Sequence, residues 1–600
     1  MNHQRPELEV LSSFPKDRFS RMLPNQKDAA RIIASESGSV TLEMPTGSGK
    51  TAVGVMFLRT AQKQGAAPLF YITPTKTLVE QAHLQHPELK VAYGRGEHAC
   101  LYYPNENLKA NEIPCLLLTD CAHRVNQETG ETHMPGVAPC PYYQQKYEAK
   151  QGGIVACTMS FYLFTQLFSR EWERPAALVI DEAHRLASVV RSSLSYEITD
   201  YHLRRLIELL DSIGAREAVA IRTFLRTMLR IIKKKPVSQR NILATTEIEE
   251  LMGVLADINP DEMREKIGTV VRKQVDPVEH REVLKQLETL VYDLRRYLDS
   301  LAYSLTTPDR NPLNYVYSYY TEEEEGSRDK VRYRLFIKSY YVAPVIKRIL
   351  SRRTLAYSAT IGDPQVFGFE TGIKAPFHSL PSDFPVENTR IFMPTDTPNL
   401  ATKERSRREP TRVLRTIAKA CHTFARAGHR SLVVVVSEAE RKKFLMLCEE
   451  ERVRAISYGD GVRARDAAQQ FREGVGQYDV LVGTAANYGE GVDLPKQLAP
   501  VIFFLRPGYP SPSDPATIFE ERRFGNMRWK LWNWRVMMEA QQVRGRNIRG
   551  AQDLGVTFFI SQQFRRFLFG GLPQWLQESY RGTSTFEECV AEAKKLLQCK

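Results

Sequence analysis

A glycine-rich loop followed by lysine and threonine is the strongest chemical signal in the sequence. The segment MPTGSGKT runs from Met44 to Thr51 and follows the apolar stretch VTLE. In such a loop the backbone N–H groups surround phosphate oxygens, Lys50 reaches the β- and γ-phosphates, and the Thr51 hydroxyl can ligate Mg²⁺. The usual pattern begins with glycine, where this chain has Met44. The predicted phosphate-binding residues are Thr46, Gly47, Ser48, Gly49, Lys50 and Thr51.

Two adjacent carboxylates form the second signal. Asp181 and Glu182 follow the apolar run LVI and begin the segment DEAH. This pattern places both carboxylates at the mouth of a buried strand, downstream of the phosphate loop. We expect Asp181 to hold Mg²⁺ through water and Glu182 to polarise the water that attacks a phosphoryl group.

Two arginines near the C-terminus form the third signal. Arg546 and Arg549 lie in QVRGRNIRG, which begins at Gln542, and they share one face if the segment is helical. Guanidinium groups remain ionised and donate in pairs, so they suit the charge that develops on a transferring γ-phosphoryl group. Together with the loop and the carboxylates, these arginines predict hydrolysis of a nucleoside triphosphate.

The elements that must position these residues alternate in type along the chain. Short apolar runs (VTLEM, PLFYITP, GIVACTM and AALVIDEAH) predict buried parallel strands before residue 185. Between about 195 and 340 apolar residues recur three and four apart, which predicts helices, followed by the strand VRYRLFIKS. RTLAYSAT, SLVVVVSE, YDVLVGTA and APVIFFLRP then predict further buried strands. The layout is an α/β region, a helical insertion and a second α/β region.

Composition bounds these predictions. The 600 residues are 42% hydrophobic and 26% charged, which indicates a folded globular protein and excludes a disordered or fibrous chain. No apolar run is long enough to span a bilayer, and the N-terminus lacks the apolar core of a signal peptide, so we expect a cytoplasmic location and no membrane partner. The formal net charge is +13, and residues 401–600 hold 33 Lys and Arg against 22 Asp and Glu. This excess alone supports only nonspecific attraction to polyanions.

Four of the nine cysteines are clustered in the sequence, at positions 100, 115, 121 and 140. In a chain without a secretory signal, such a cluster favours metal or cofactor ligation over disulfides. Four thiolates suit an iron–sulfur cluster or zinc, and their spacing does not decide between the two.

In order along the chain, these segments resemble the motifs of a superfamily 2 helicase of the iron–sulfur XPD/DinG type. TLEMPTGSGKT is similar to motif I of that family, including its methionine, and TPTKTLVEQ (73–81) is similar to motif Ia. Motifs II to V correspond to DEAH (181–184), YSATIGDP (357–364), VVVVSE (433–438) and YGEGVDLP (488–495). QxxGRxIR, from Gln542 to Arg549, fits motif VI. The seven segments are distributed in this order along almost the whole chain.

The resemblance implies a fold of two RecA-like P-loop motor domains, with a small Cys-rich insertion of the iron–sulfur type and a helical arch insertion, both in the first. The implied divisions are motor domain 1 (1–95, 151–194 and 341–388), the Cys-rich insertion (96–150), the arch (195–340) and motor domain 2 (389–600).

The resemblance also implies roles for individual residues. Cys100 and Cys140 match the segments of the first and fourth [4Fe–4S] ligands, and Cys115 and Cys121 would be the middle two. Zinc, or a degenerate insertion without metal, remains the alternative, and His98 or His123 could substitute as a ligand. Gln26 is expected to read adenine, and the Glu490–Asp493 loop, with Ser358–Thr360, to couple ATP hydrolysis to strand movement.

The implied activity is ATP-dependent unwinding by translocation on single-stranded or forked DNA, in the 5′→3′ direction, with RNA as the alternative strand. A translocase or remodelling ATPase without unwinding and a nucleic-acid-binding scaffold remain open. We expect a monomeric motor, recruited by a protein or a ribonucleoprotein complex. The short insertion leaves a CRISPR-associated or mobile-element DinG-like branch open beside a repair helicase.

Overall fold

The computed structural model describes residues 4–598, except 255–314 and shorter gaps at 37, 46, 104–106, 114, 116–120, 170–171, 213, 235–240, 324–330, 383–384, 402–408, 460, 489–497, 513 and 546–551. Its strands are β1 Val40–Glu43, β2 Leu69–Thr73, β3 Leu89–Val91, β4 Ile154–Thr158, β5 Ala177–Asp181, β6 Tyr196–Thr199, β7 Asn241–Ile242, β8 Tyr315–Glu323, β9 Val331–Ser339, β10 Thr354–Ser358, β11 Phe377–Ser379, β12 Thr389–Phe392, β13 Ser431–Val435, β14 Ala455–Ser457, β15 Val480–Thr484, β16 Val501–Phe504, β17 Gly555–Phe559 and β18 Tyr580–Arg581.

The described α-helices connect and cover these strands. They are α1 Gln4–Ser12, α2 Pro24–Ser35, α3 Lys50–Lys63, α4 Lys76–Gln85, α5 Pro141–Lys150, α6 Met159–Phe164, α7 Leu186–Leu194, α8 Asp200–Ser212, α9 Glu217–Ile232, α10 Thr245–Gly253, α11 Ala343–Ile349, α12 Pro364–Thr371, α13 Glu409–Arg426, α14 Glu438–Glu450, α15 Ala464–Glu473, α16 Ala485–Tyr488, α17 Pro515–Phe524, α18 Met527–Arg544, α19 Leu568–Gly571 and α20 Phe586–Gln598.

The first motor domain is built on a parallel seven-stranded sheet in the order β11-β1-β10-β5-β2-β4-β3. Strands β1, β2, β5 and β10 are buried along their whole length, because helices cover both faces of the sheet. β10 lies between β1 and β5, and its Ser358 pairs with Glu43 while Tyr357 pairs with Asp181. The phosphate loop, Asp181 and Ser358 therefore meet at one edge of the sheet.

The second motor domain is a parallel seven-stranded sheet in the order β14-β15-β13-β16-β17-β12-β18. The predicted strands SLVVVVSE, YDVLVGTA and APVIFFLRP correspond to β13, β15 and β16. Helix α14 begins after a capping box, in which Ser437 and Glu440 satisfy each other's backbone N–H groups. Two parallel α/β domains of the predicted RecA-like type are confirmed.

The insertion after α7 was predicted to be a helical arch, but it is not purely helical. It contains α8, α9 and α10, but also an antiparallel sheet in the order β6-β9-β8-β7. VRYRLFIKS forms β9 as predicted, whereas β8 (YVYSYYTEE) was missed, although tyrosine and valine favour extended structure. The predicted helix within 281–305 lies outside the described residues. Apolar residues of α8 and α9 belong to the same buried cluster as those of β5 and α18.

A buried ionic network joins the two motor domains. Glu370 of α12 is 2% exposed and contacts Arg191 of α7 (2.6 Å) and Arg535 of α18 (2.9 Å). Arg535 also pairs with Glu520 of α17 at 2.9 Å. Removing one partner would leave a buried charge unpaired, so this network fixes how α18 lies against the first domain.

The helices that the structure describes include none long and apolar enough to cross a membrane.

Candidate active site

The phosphate loop bends through two glycines in left-handed conformation, Gly47 at φ 84° and Gly49 at φ 71°. Side chains with a Cβ rarely adopt these angles, so glycine is required at both turns. Lys50 opens α3 and donates from Nζ to the carbonyl of Met44 across the loop (3.5 Å), and Ser48 donates to the carbonyl of Pro45 (2.7 Å). The loop is thus closed on itself, with Lys50 at its opening. Thr46 lies outside the described residues.

Gln26, which was predicted to read adenine, is buried against the phosphate loop. Its Nε2 donates to the carbonyl of Gly49 (3.2 Å), and its Oε1 accepts from the Leu23 backbone N–H (2.8 Å). Both ends of the amide therefore hydrogen-bond to backbone, and the contact supports the loop just before Lys50. Its role toward adenine stays a prediction.

Asp181 ends β5 in a buried position. Its Oδ2 accepts from the Tyr71 hydroxyl (2.9 Å), which in turn contacts the Tyr357 hydroxyl (2.9 Å), and its Oδ1 accepts from the Glu182 backbone N–H (2.9 Å). Burial, followed by the charge of Glu182, raises the pKa of Asp181 to about 7, against the opposing charge of Lys50. A divalent cation would stabilise the ionised form of this buried carboxylate, because its charge would replace the interactions with water that burial removes.

Glu182 stands at the end of a chain of hydrogen bonds that starts in the second motor domain. The side-chain amide Nε2 of Gln542 contacts His184 Nε2, His184 Nδ1 contacts Ser358 Oγ (2.6 Å), and Ser358 Oγ donates to Glu182 Oε2 (2.9 Å). Glu182 itself has φ 51°, an unusual backbone angle that turns its side chain away from the strand direction.

The protonation state of His184 determines which group donates at each step of this series of hydrogen bonds. Burial lowers the pKa of His184 to about 4, so the ring is neutral near pH 7 and carries one N–H. Ser358 uses its proton on Glu182, so His184 donates from Nδ1 to Ser358 and accepts at Nε2 from Gln542. Burial alone would raise the pKa of Glu182, but the charge of Lys50 and the hydrogen bond from Ser358 lower it. The carboxylate is therefore held ionised and oriented.

Several predicted residues fall outside the described part of the chain. Arg546 and Arg549 of motif VI and Glu490 and Asp493 of motif V are among them. Helix α18 ends at Arg544, immediately before motif VI reaches its arginines. Sequence reasoning missed Tyr71 and the linking role of His184, although His184 stood in the DEAH segment.

The four clustered cysteines line one cavity. Cys100, Cys115, Cys121 and Cys140 surround it, together with residues that include His123 and Tyr143. Cys115 Sγ lies 3.9 Å from the Tyr143 hydroxyl, and the Cys140 N–H donates to the His123 carbonyl (2.7 Å). His98 instead contacts Gln145 (3.1 Å). Within the described residues, no three His, Cys, Asp or Glu side chains converge on a single metal-ion position.

The neutral state of His184 predicts a specific pH dependence of stability. Between about pH 6.5 and pH 4 the unfolded chain binds a proton at residue 184 and the folded chain does not, so stability falls as pH falls through this window. At pH 5 this costs about 2 kcal/mol relative to pH 7. We expect His184→Gln to lose that contribution when the free energies of unfolding at the two pH values are compared. The exposed His202→Gln controls for loss of an imidazole; equal pH dependence in His184→Gln and wild type would contradict the assignment.

Comparisons with known proteins agree with this architecture. Residues 19–209 match the family described as type III restriction enzyme, res subunit, and residues 421–579 match the helicase C-terminal domain family. No curated protein matches. A solved structure described as XPD helicase is 15% identical with a TM-score of 0.59 and covers 91% of this chain and 97% of its own. Xpd4 of S. tokodaii is 12% identical with a TM-score of 0.53, covering 96% and 99%. The chain therefore has the fold of these XPD helicase structures, and residues 421–579 match a helicase C-terminal domain.

Proposed function

We propose that the protein is an ATP-dependent DNA helicase of the DEAH type that translocates 5′→3′ on single-stranded DNA. The observation that carries the proposal is the chain of hydrogen bonds from Gln542 to Glu182. Through His184 and Ser358, it connects a residue of one motor domain to the hydrolytic carboxylate of the other. Opening or closing of the two domains would then change the site where ATP is cleaved.

ATP would bind between the two domains. Lys50 neutralises the β- and γ-phosphates, and Glu182 orients and deprotonates the attacking water. Thr51 and Asp181 would hold Mg²⁺, which would neutralise part of the charge on the phosphates. Gln542 positions Glu182 through His184 and Ser358, and we assign Arg546 and Arg549 to the charge that develops on the γ-phosphoryl group.

We propose a [4Fe–4S] cluster in the 96–150 insertion. A cluster with iron at four corners needs thiolates spread around a cavity, whereas zinc needs four donors that converge on one ion. Cys100, Cys115, Cys121 and Cys140 line one cavity, which is the arrangement that the ligands of such a cluster need. The thiolates would hold the cluster and fix the otherwise loop-rich insertion. Zinc is the alternative.

The nucleic-acid partner is assigned from charge and from the motif resemblance. The excess of basic residues lies in 401–600, within the second motor domain. Binding to DNA phosphates should therefore weaken as salt rises. The direction of movement, the preference for DNA over RNA, the division at 96–150 and 195–340, the monomeric state and a cytoplasmic location are proposed from the sequence alone. A DNA-stimulated ATPase without unwinding is the alternative function.

Substitution of Lys50 tests the motor. We expect Lys50→Ala to lower DNA-stimulated ATP hydrolysis by at least about 100-fold and to abolish unwinding of a forked duplex, because the γ-phosphate loses its cation. Lys63→Ala, at the exposed end of the same helix, is the matched control and should retain both activities. Unwinding by Lys50→Ala at the wild-type rate would refute the motor assignment, and ATP hydrolysis without unwinding in the wild type would favour the translocase alternative.

Iron content of protein purified without oxygen tests the insertion. We expect about four iron atoms per chain and a visible absorbance band in the wild type, because four thiolates ligate one cluster. Cys121→Ser should lose the band, whereas Cys589→Ala, which removes a buried cysteine of α20, should keep it. Colourless, iron-free wild-type protein that contains zinc or no metal would overturn the cluster assignment.

A further inference from the structure

A second cavity lies between the two motor domains, beside the phosphate loop but separate from the catalytic carboxylates. The residues that line it include Pro45 and Thr360 on the first domain's side and Thr389, Gln541, Arg544 and Trp575 on the second domain's side. Lys50, Thr51, Asp181 and Glu182 do not line it.

Arg544 brings an unbalanced positive charge to this cavity. Its side chain is 7% exposed, and its Nε donates to Gln541 Oε1 (2.7 Å). No carboxylate among the described residues lies within ion-pair distance of it, and burial lowers the pKa of Arg544 to about 10, so it stays charged at neutral pH. A buried guanidinium without an anion is costly, and proteins rarely retain one without a ligand or counter-charge.

Three further buried polar atoms of the cavity have no hydrogen-bond partner among the residues that the structure describes: Gln541 Nε2, Trp575 Nε1 and Thr389 Oγ1. All three can donate, and the one acceptor on Gln541 is already used by Arg544. Unsatisfied buried groups are few in folded proteins, so four donor groups around one cavity need an explanation. The C-terminal end of α18 would favour the charge of Arg544, but it does not satisfy the other three donors.

We infer that this cavity binds a phosphate-class oxyanion between the motor domains. A phosphate presents several acceptor oxygens and negative charge, which matches a guanidinium surrounded by N–H and O–H donors. The ligand would be either free inorganic phosphate or a phosphate group of a bound nucleotide. Because it contacts both domains, it would favour their association. With free phosphate as the ligand, this inference goes beyond the proposed function; with a nucleotide phosphate, it rests on that function and deepens it. Its test requires neither hydrolysis nor unwinding.

Calorimetric titration of the full-length, nucleotide-free protein with inorganic phosphate tests the inference, at constant ionic strength set with chloride. The Lys50→Ala background removes phosphate bound at the phosphate loop. We expect saturable binding that Arg544→Leu weakens at least about tenfold, because a charge-assisted hydrogen bond is lost. Trp575→Phe, which removes only the indole donor, should weaken binding by a smaller factor. Arg472→Gln, an exposed charge change on α15, should leave it unchanged.

Two further measurements keep the result decisive. Arg544→Leu should unfold at the wild-type temperature or higher in phosphate-free buffer, because an unpaired buried charge is removed. Titration with saturating ADP present separates the sources: phosphate binding that still depends on Arg544 identifies free phosphate, whereas competition, together with weaker nucleotide binding by Arg544→Leu, identifies a nucleotide phosphate. The inference would be overturned if Arg544→Leu bound both phosphate and nucleotide as tightly as the protein with Arg544 does, or if no phosphate binding were detected at all.

Discussion

The hydrogen bonds that join Gln542 to Glu182 connect the two motor domains at the carboxylate that would activate water. Burial keeps His184 neutral, and a neutral imidazole can accept from Gln542 while it donates to Ser358. The protonated ring would have two donors and no acceptor, so the contact from the Gln542 amide would be lost. The low pKa of His184 is therefore the condition under which the second domain can position Glu182.

The same edge of the sheet holds two adjacent carboxylates in different electrostatic states. Asp181 is buried beside Tyr71 and has a raised pKa, whereas the pKa of Glu182 is lowered by the charge of Lys50 and by the hydrogen bond from Ser358. Neighbouring acids with separated pKa values can take separate roles. In the proposed mechanism, Asp181 would bind Mg²⁺ and Glu182 would accept a proton from the attacking water. The network of Glu370 and Arg535 holds α18, and hence Gln542, against the first domain.

Local patterns in the sequence were enough to predict the strands and loops that carry the motifs. β1, β5 and β10 were predicted because each is a continuous apolar run that ends in polar residues, as buried parallel strands do. The contact of Gln542 with His184 spans 358 positions, so no local pattern encodes it. β8 was missed because the turn-forming and charged segments TPDRNP and TEEEEGSRD at its two ends favour an exposed loop. Arg544 was missed because it occupies an unassigned position of motif VI. That no described carboxylate lies near it is visible only in three dimensions.

A double-mutant cycle between Gln542 and Ser358 tests the central claim, that the second motor domain positions Glu182 through one chain of hydrogen bonds. The quantity to measure is the single-turnover rate of ATP hydrolysis, with single-stranded DNA bound, in Gln542→Ala, Ser358→Ala and the double variant. If the chain acts as a unit, the double variant should be about as slow as the slower single variant, with a coupling of at least about tenfold. Independent effects that multiply in the double variant would contradict the account.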